Sequence, residues 1–278
     1  MGAYREQYVY DEVGNLHELH HHGTDPANPG WTRTFAHHEV SPLEDGGAAS
    51  RTNNRLSSST LSGGAPETYD AHGNAVRLPH LGNGAGPNVW WTHHDQIAHV
   101  DKGGGGTAYY VYDASGERVR KIWEKPGRVE ERIYLGGFEI FREVTGDKSL
   151  VRETLHVMDD KQRIALVETR TAQTAVNDRA PGRLVRYQLT NHLGSAALEL
   201  DDNHDIVSYE EWSPYGSTTY QAVRSLTESP KRYRYTGKER DEETGLSYHS
   251  ARYYAPWLAR WASCDPMGIN DSPSAYSY

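Results

Sequence analysis

Histidines, one cysteine and one serine are among the side chains of this 278-residue sequence that could carry chemistry. Histidine occurs in the runs His20-His21-His22, His37-His38 and His93-His94. On a strand, His20 and His22 share a face, and two such pairs could hold zinc. No cysteine or spaced carboxylate completes a ligand set at recognisable intervals, so these read as solvated sheet histidines and no metal is expected. Cys264 adjoins Asp265 and invites a nucleophile reading. A neighbouring carboxylate opposes thiolate formation, so the thiol reads as structural. Ser195, in His192-Leu193-Gly194-Ser195, lacks the Gly-x-Ser-x-Gly elbow of a hydrolase and reads as part of a turn. Gly103–Gly106 lacks the Gly-Lys-Ser/Thr ending of a phosphate loop. It reads as a flexible link, as does Gly82–Gly86. Trp257 and Trp261, with Tyr253 and Tyr254, could stack on a sugar, but packing explains them at least as well. No cofactor is expected.

The elements that would carry these residues are strands. Gly (27) and Tyr (19) are abundant while Phe (3) and Met (3) are scarce, a mix that suits half-wet sheet and many turns. Net charge is −9, which argues against nucleic acid as a general partner. The locally basic stretch Lys231 to Arg260 reads as a solvated sheet face. A single cysteine excludes an internal disulfide framework. No apolar run reaches the ~18 residues of a membrane span, and Met1 to Asp11 has no apolar core of a secretory signal.

One pattern repeats: Tyr-Asp, two residues, Gly, a polar residue, then alternation. It stands at Tyr10-Asp11-Glu12-Val13-Gly14, at Tyr69-Asp70-Ala71-His72-Gly73 and at Tyr112-Asp113-Ala114-Ser115-Gly116. A weaker cousin runs from Leu200-Asp201 to Ile206-Val207, with Asn203 and His204 where Gly would stand. Asp closes an Asx-type turn with nearby amides, and Gly takes the positive φ of a tight hairpin. Strands are predicted at Thr107–Tyr112, Arg132–Tyr134, Phe138–Val144, Glu153–Met158, Arg163–Glu168, Leu184–Leu189, Ala196–Leu200 and Ile206–Glu211. Gly23 to Gly64 reads as long connections around one or two strands. Gln221 to Thr227 is the best short helix candidate. The fold class is mainly β, a curved ribbon of antiparallel hairpins.

The end of the sequence is its most distinctive part. Asn191-His192-Leu193-Gly194-Ser195 is followed by Tyr209-Glu210-Glu211-Trp212-Ser213-Pro214-Tyr215-Gly216. Tyr235-Thr236-Gly237-Lys238-Glu239-Arg240-Asp241 comes next and leads through Gly245 to Tyr248. Then come Ala251-Arg252-Tyr253-Tyr254-Ala255-Pro256-Trp257-Leu258-Ala259-Arg260-Trp261 and Asp265-Pro266-Met267-Gly268. This order resembles the RHS repeat-associated core domain, and the wider layout resembles the C component of ABC-type insecticidal toxin complexes.

The resemblance implies residues 1–187 as YD/RHS-repeat ribbon and 188–278 as an RHS core domain, an irregular plug. It implies a structural shell that encloses a C-terminal toxin or effector polypeptide, secreted or at the cell surface as part of a larger protein. The implied partners are that enclosed polypeptide and a neighbouring shell or B-type subunit. In the family an aspartyl autoprotease releases the toxin, and Asp265, with Arg260 just before it, falls where one protease carboxylate sits. The sequence ends at Tyr278 before a second Asp-Pro-x-Gly, and Asp271 is the only carboxylate after the first. Ala259 replaces the usual Gly before Arg-Trp, and Ser272-Pro273-Ser274-Ala275-Tyr276 blurs the usual Asn-Leu-Tyr. The expectation is a shell segment that is not an enzyme and lacks its payload. The alternatives are an autoprotease segment and a surface module for adhesion or glycan binding.

Overall fold

A computed structural model describes residues 3–41, 52–82, 84, 86–160, 162–174, 181–224, 231–268 and 274–278. The chain packs as two units, Met1–Val89 with Ala259–Tyr278, and Trp90–Leu258.

In the first unit, β1 (Tyr4–Tyr10), β2 (Leu16–Asp25), β3 (Asn28–Ala36) and β4 (Ser58–Ser59) pair in chain order. Phe35, Leu56, Leu78 and Tyr276 are among its buried residues. The stretch Gly23 to Gly64, read as long connections around one or two strands, holds the end of β2 and all of β3 and β4; residues 42–51 of it lie outside the described residues.

A twelve-stranded antiparallel sheet follows, also in strict chain order. Its strands are β5 (Val89–Trp91), β6 (Ile97–Asp101), β7 (Thr107–Tyr112), β8 (Arg118–Lys125), β9 (Arg128–Leu135) and β10 (Phe138–Thr145), then β11 (Lys148–Asp159), β12 (Gln162–Thr174), β13 (Arg183–Thr190), β14 (Ala196–Leu200), β15 (Ile206–Trp212) and β16 (Thr218–Val223). Each strand pairs with the one that follows it in the chain, so each hairpin is stabilised chiefly by its neighbours. Short strands β17 (Glu239–Arg240), β18 (Ser247–Tyr248) and β19 (Tyr253–Ala255) complete the second unit. In the first unit β20 (Arg260–Trp261) meets Ser277 in a bridge.

The fold is mainly β, as read from the sequence, and all eight predicted strands are present. The helix candidate Gln221 to Thr227 is a correction. Gln221–Val223 is the end of β16, paired with β15, because alternation on a sheet edge outweighs a weak helical pattern; residues 225–230 lie outside the described residues. Gly103–Gly106 is a second correction. It forms a 3-10 turn in which Gly106 N donates to Gly103 O at 3.1 Å and Lys102 N donates to Gly106 O at 2.8 Å. Trp123 Nε1 donates to Gly105 O at 3.0 Å, which fixes the turn to β8.

The three Tyr-Asp turns share one geometry. Asp113 Oδ1 accepts from the amides of Ser115 and Glu117, at 2.8 and 3.0 Å, and Gly116 N donates to Asp113 O with φ at +86°. Asp11 and Asp70 do the same, with Gly14 and Gly73 at φ +86° and +88°. The acceptor therefore serves amides two and four residues on, and the Gly conformation is one that L side chains rarely adopt. The weak cousin is a full copy: Asp201 accepts from Asn203 and Asp205, and His204 takes φ +64°. Two further copies use other acceptors, Thr92 with Asp95 at φ +57° and Asn191 with Gly194 at φ +76°.

Candidate functional site: a buried charge seam and the Asp265 turn

Antiparallel partners present their side chains on one side of a sheet. In the second unit Tyr110 pairs with Lys121, Lys121 with Arg132, Tyr134 with Glu139, Glu139 with Thr154 and Thr154 with Glu168. One face is therefore lined with charge. A bulge adds Arg118 to it: Val111 pairs with Arg120 but Tyr112 with Arg118, so β8 holds one extra residue. That re-aims Arg118 onto the side of Lys121.

Residues 231–258 cover this face, and their charges complement it. Arg118 Nη1 donates to Asp241 Oδ2 at 2.6 Å and Nη2 to Glu239 Oε2 at 2.7 Å. Lys121 Nζ donates to Asp241 Oδ1 at 2.7 Å and to Glu243 Oε2 at 3.3 Å, and Tyr110 OH donates to Glu243 Oε1 at 2.8 Å. Further along, Glu139 accepts from Arg232 at 2.7 Å, Arg132 at 3.1 Å and the Tyr233 hydroxyl. Glu199 accepts from Arg186, Gln188 and Ser208, and Glu210 from Thr218 and Arg234. Burial pushes the Glu239 carboxyl up, but Lys121, Arg118 and Arg232 outweigh it and bring it down to about 2. Burial raises Asp241 despite Arg118 and Lys121.

This corrects the reading of Lys231 to Arg260 as a solvated sheet face. Lys231 is 5% exposed, Glu239 4% and Asp241 0%. The counter-charges come from strands far away in sequence, where no local pattern reports them.

The remaining motif residues close turns or pack. Pro214 O accepts from Tyr235 OH at 2.7 Å, and Tyr215 O from Tyr254 OH at 2.8 Å. Gly216 lies at φ +80°, and a Cβ there would meet the Tyr235 ring. Gly237 (φ +68°) offers its carbonyl to Arg163, and Gly245 (φ +73°) lies against Trp257. Arg252 O accepts from His249 N, and Pro256 O from Ser217 Oγ. Ser195 is fully buried, and its Oγ accepts from Thr236 N at 2.9 Å. Tyr253, Tyr254 and Trp261 are buried, and Trp257 is half-buried.

In the first unit, Asp265-Pro266-Met267-Gly268 repeats the Tyr-Asp turn. Asp265 Oδ1 accepts from Met267 N at 2.9 Å, and Gly268 N donates to Asp265 O at 2.9 Å with φ +76°. The spacing Asp-x-x-Gly is the one seen at Asp11 and Gly14, a signal available in the sequence. Arg260 is buried, with Nη1 3.1 Å from His37 Nε2 and Nη2 donating to Asn54 O at 2.7 Å, so these hydrogen bonds do not run to Asp265. Burial, Arg260 and His17 hold His37 down at about 4, so near neutral pH its Nε2 accepts. Cys264 Sγ lies 3.1 Å from Tyr276 OH, which donates to Gly73 O at 2.7 Å. Asp271 lies outside the described residues. His20 and His22 do share a face of β2, with rings stacked 6.3 Å apart, and His20 bonds Glu18 at 2.8 Å.

Ala259 adopts φ +53°, a conformation costing an L residue roughly 1–2 kcal/mol. Ala259→Gly should therefore stabilise the protein by about 0.5–1 kcal/mol after glycine's own entropy is counted. A thermal midpoint that falls would contradict this.

A scan of family models finds no match. Two toxin subunits of Yersinia entomophaga are similar: YenC1 is 31% identical over 96% of this chain, and YenC2 31% over 98%. The chain spans 27% of the length of each. The crystal structure of TcdB2-TccC3 superposes with a TM-score of 0.79 at 29% identity, over 99% of this chain and 13% of that one. Among the described residues no helix is long and apolar enough to cross a membrane.

Proposed function

We propose that this chain, an RHS/YD-repeat protein that resembles the C component of ABC-type toxin complexes, is a stretch of β-sheet wall that helps enclose a polypeptide payload. What supports the reading is the unbroken run of hairpins, one face of which is sealed by an ion-paired cover. In this reading residues 1–187 are repeat ribbon and 188–278 the core domain, and the partners are the enclosed toxin or effector and a B-type subunit. The whole assembly would act after secretion. Asp265 is then a turn residue, like the aspartates of the repeats, with any autoproteolytic role depending on a second carboxylate.

The test is protease protection of the protein isolated from its own source. A polypeptide outside the RHS region should survive digestion in the wild type and be lost when Arg118→Ala loosens the cover. Absence of any protected polypeptide, or equal loss in both proteins, would exclude the reading.

A further inference from the structure

His156, on β11, sits where the sheet and its cover exchange charges, and its hydrogen bonds fix which nitrogen carries the proton. Arg163 Nε, from β12, lies 3.2 Å from His156 Nδ1. A guanidinium can only donate, so Nδ1 must present its lone pair. His156 Nε2 then bears the proton and donates to Glu139 Oε1, on β10, at 2.7 Å. Arg163 continues to the cover: its guanidinium lies 3.5 Å from the centre of the Tyr233 ring, and Nη1 donates to Gly237 O at 3.3 Å. The Tyr233 ring also packs edge-on against the imidazole, with centroids 5.0 Å apart.

We propose that His156 is an acid-sensitive catch that regulates how firmly the Tyr233–Gly237 stretch is held on the sheet. A proton added at Nδ1 turns that nitrogen into a donor facing the Arg163 donor and sets two cations against each other. The new imidazolium pairs with Glu139, which already serves Arg132 from β9 and Arg232 from the cover. Arg163 has no such carboxylate within ion-pair distance among the described residues. It therefore leaves the lone pair that oriented it, and with it the Tyr233 face and the Gly237 carbonyl. The proposal deepens the reading of residues 231–258 as a cover by giving it a regulator, and its failure would leave the protease-protection result untouched.

Hydrogen exchange of the Tyr233–Gly237 amides at pH 7.5 and pH 5, corrected for intrinsic rates, tests it. Exchange should quicken by about tenfold at pH 5 in the wild type. His156→Gln keeps one donor for Glu139 and one acceptor for Arg163 but cannot be protonated, so its profile should stay flat. A flat wild type, or an equal acceleration in His156→Gln, overturns the catch. If His156→Gln does not fold, the ring nitrogens of wild-type His156 decide by NMR. Nδ1 gaining a proton across this range supports the proposal, and Nδ1 remaining bare at pH 5 overturns it.

Discussion

Arg118→Ala is expected to destabilise the protein by roughly 3–5 kcal/mol, the usual cost of removing one partner from a buried ion pair. The side chain is 1% exposed and holds Asp241 and Glu239, which are 0% and 4% exposed. Without it, Asp241 and Glu243 are left to Lys121, at 2.7 and 3.3 Å, and Glu239 to Lys121 at 3.7 Å and Arg232 at 3.4 Å. Arg118→Lys keeps the charge but loses the fork that reaches two carboxylates at once, so it should cost less. The pH dependence gives a second reading of the same event. Glu239 lies below its unfolded value, so its contribution is present above about 4.5 and is lost as pH falls toward 2. Asp241 is raised and has the opposite sign, which partly offsets this. Arg118→Ala lets Glu239 rise, so acid denaturation should become shallower in that window. Chemical denaturation at pH 7 and pH 4 measures both effects, and a loss under about 1 kcal/mol at neutral pH would show that water already serves the two carboxylates.

How much of this was legible in the sequence depends on the distance between partners. The Asp113 turn reports itself because acceptor, amides and glycine lie within five residues. The copies at Thr92 and Asn191 lie outside the Tyr-Asp-x-x-Gly pattern, because the geometry asks only for an acceptor and a residue at positive φ. Asp265 carries the same spacing, and its turn could have been read beside its resemblance to a protease position. The seam is different. Arg118 and Asp241 are 123 residues apart, and nothing local to Lys231–Arg260 marks its charges as buried. The bulge that turns Arg118 toward Lys121 is a single extra residue in β8, invisible to a period-two pattern.

Gly106→Ala should cost roughly 3 kcal/mol or more, because it combines strained backbone with a lost ladder contact. Gly106 has φ +87°, and a Cβ there would lie 2.8 Å from the Glu124 carbonyl carbon and closer still to its oxygen. The obstacle is backbone of β8, so no rotamer relieves it, and the Thr107–Glu124 pair that begins the β7–β8 ladder must open. This is the close approach of two backbone segments that a glycine beside a strand permits. Gly104 supplies the control. It lies in the same run, but a Cβ there meets nothing within 4 Å, so Gly104→Ala should stay within about 0.5 kcal/mol of wild type. Thermal unfolding of the two variants side by side separates the alternatives. A large loss confined to Gly106→Ala means the run is a fitted turn that sets the register of β7 on β8. Equal, small losses would mean that it serves only as a link.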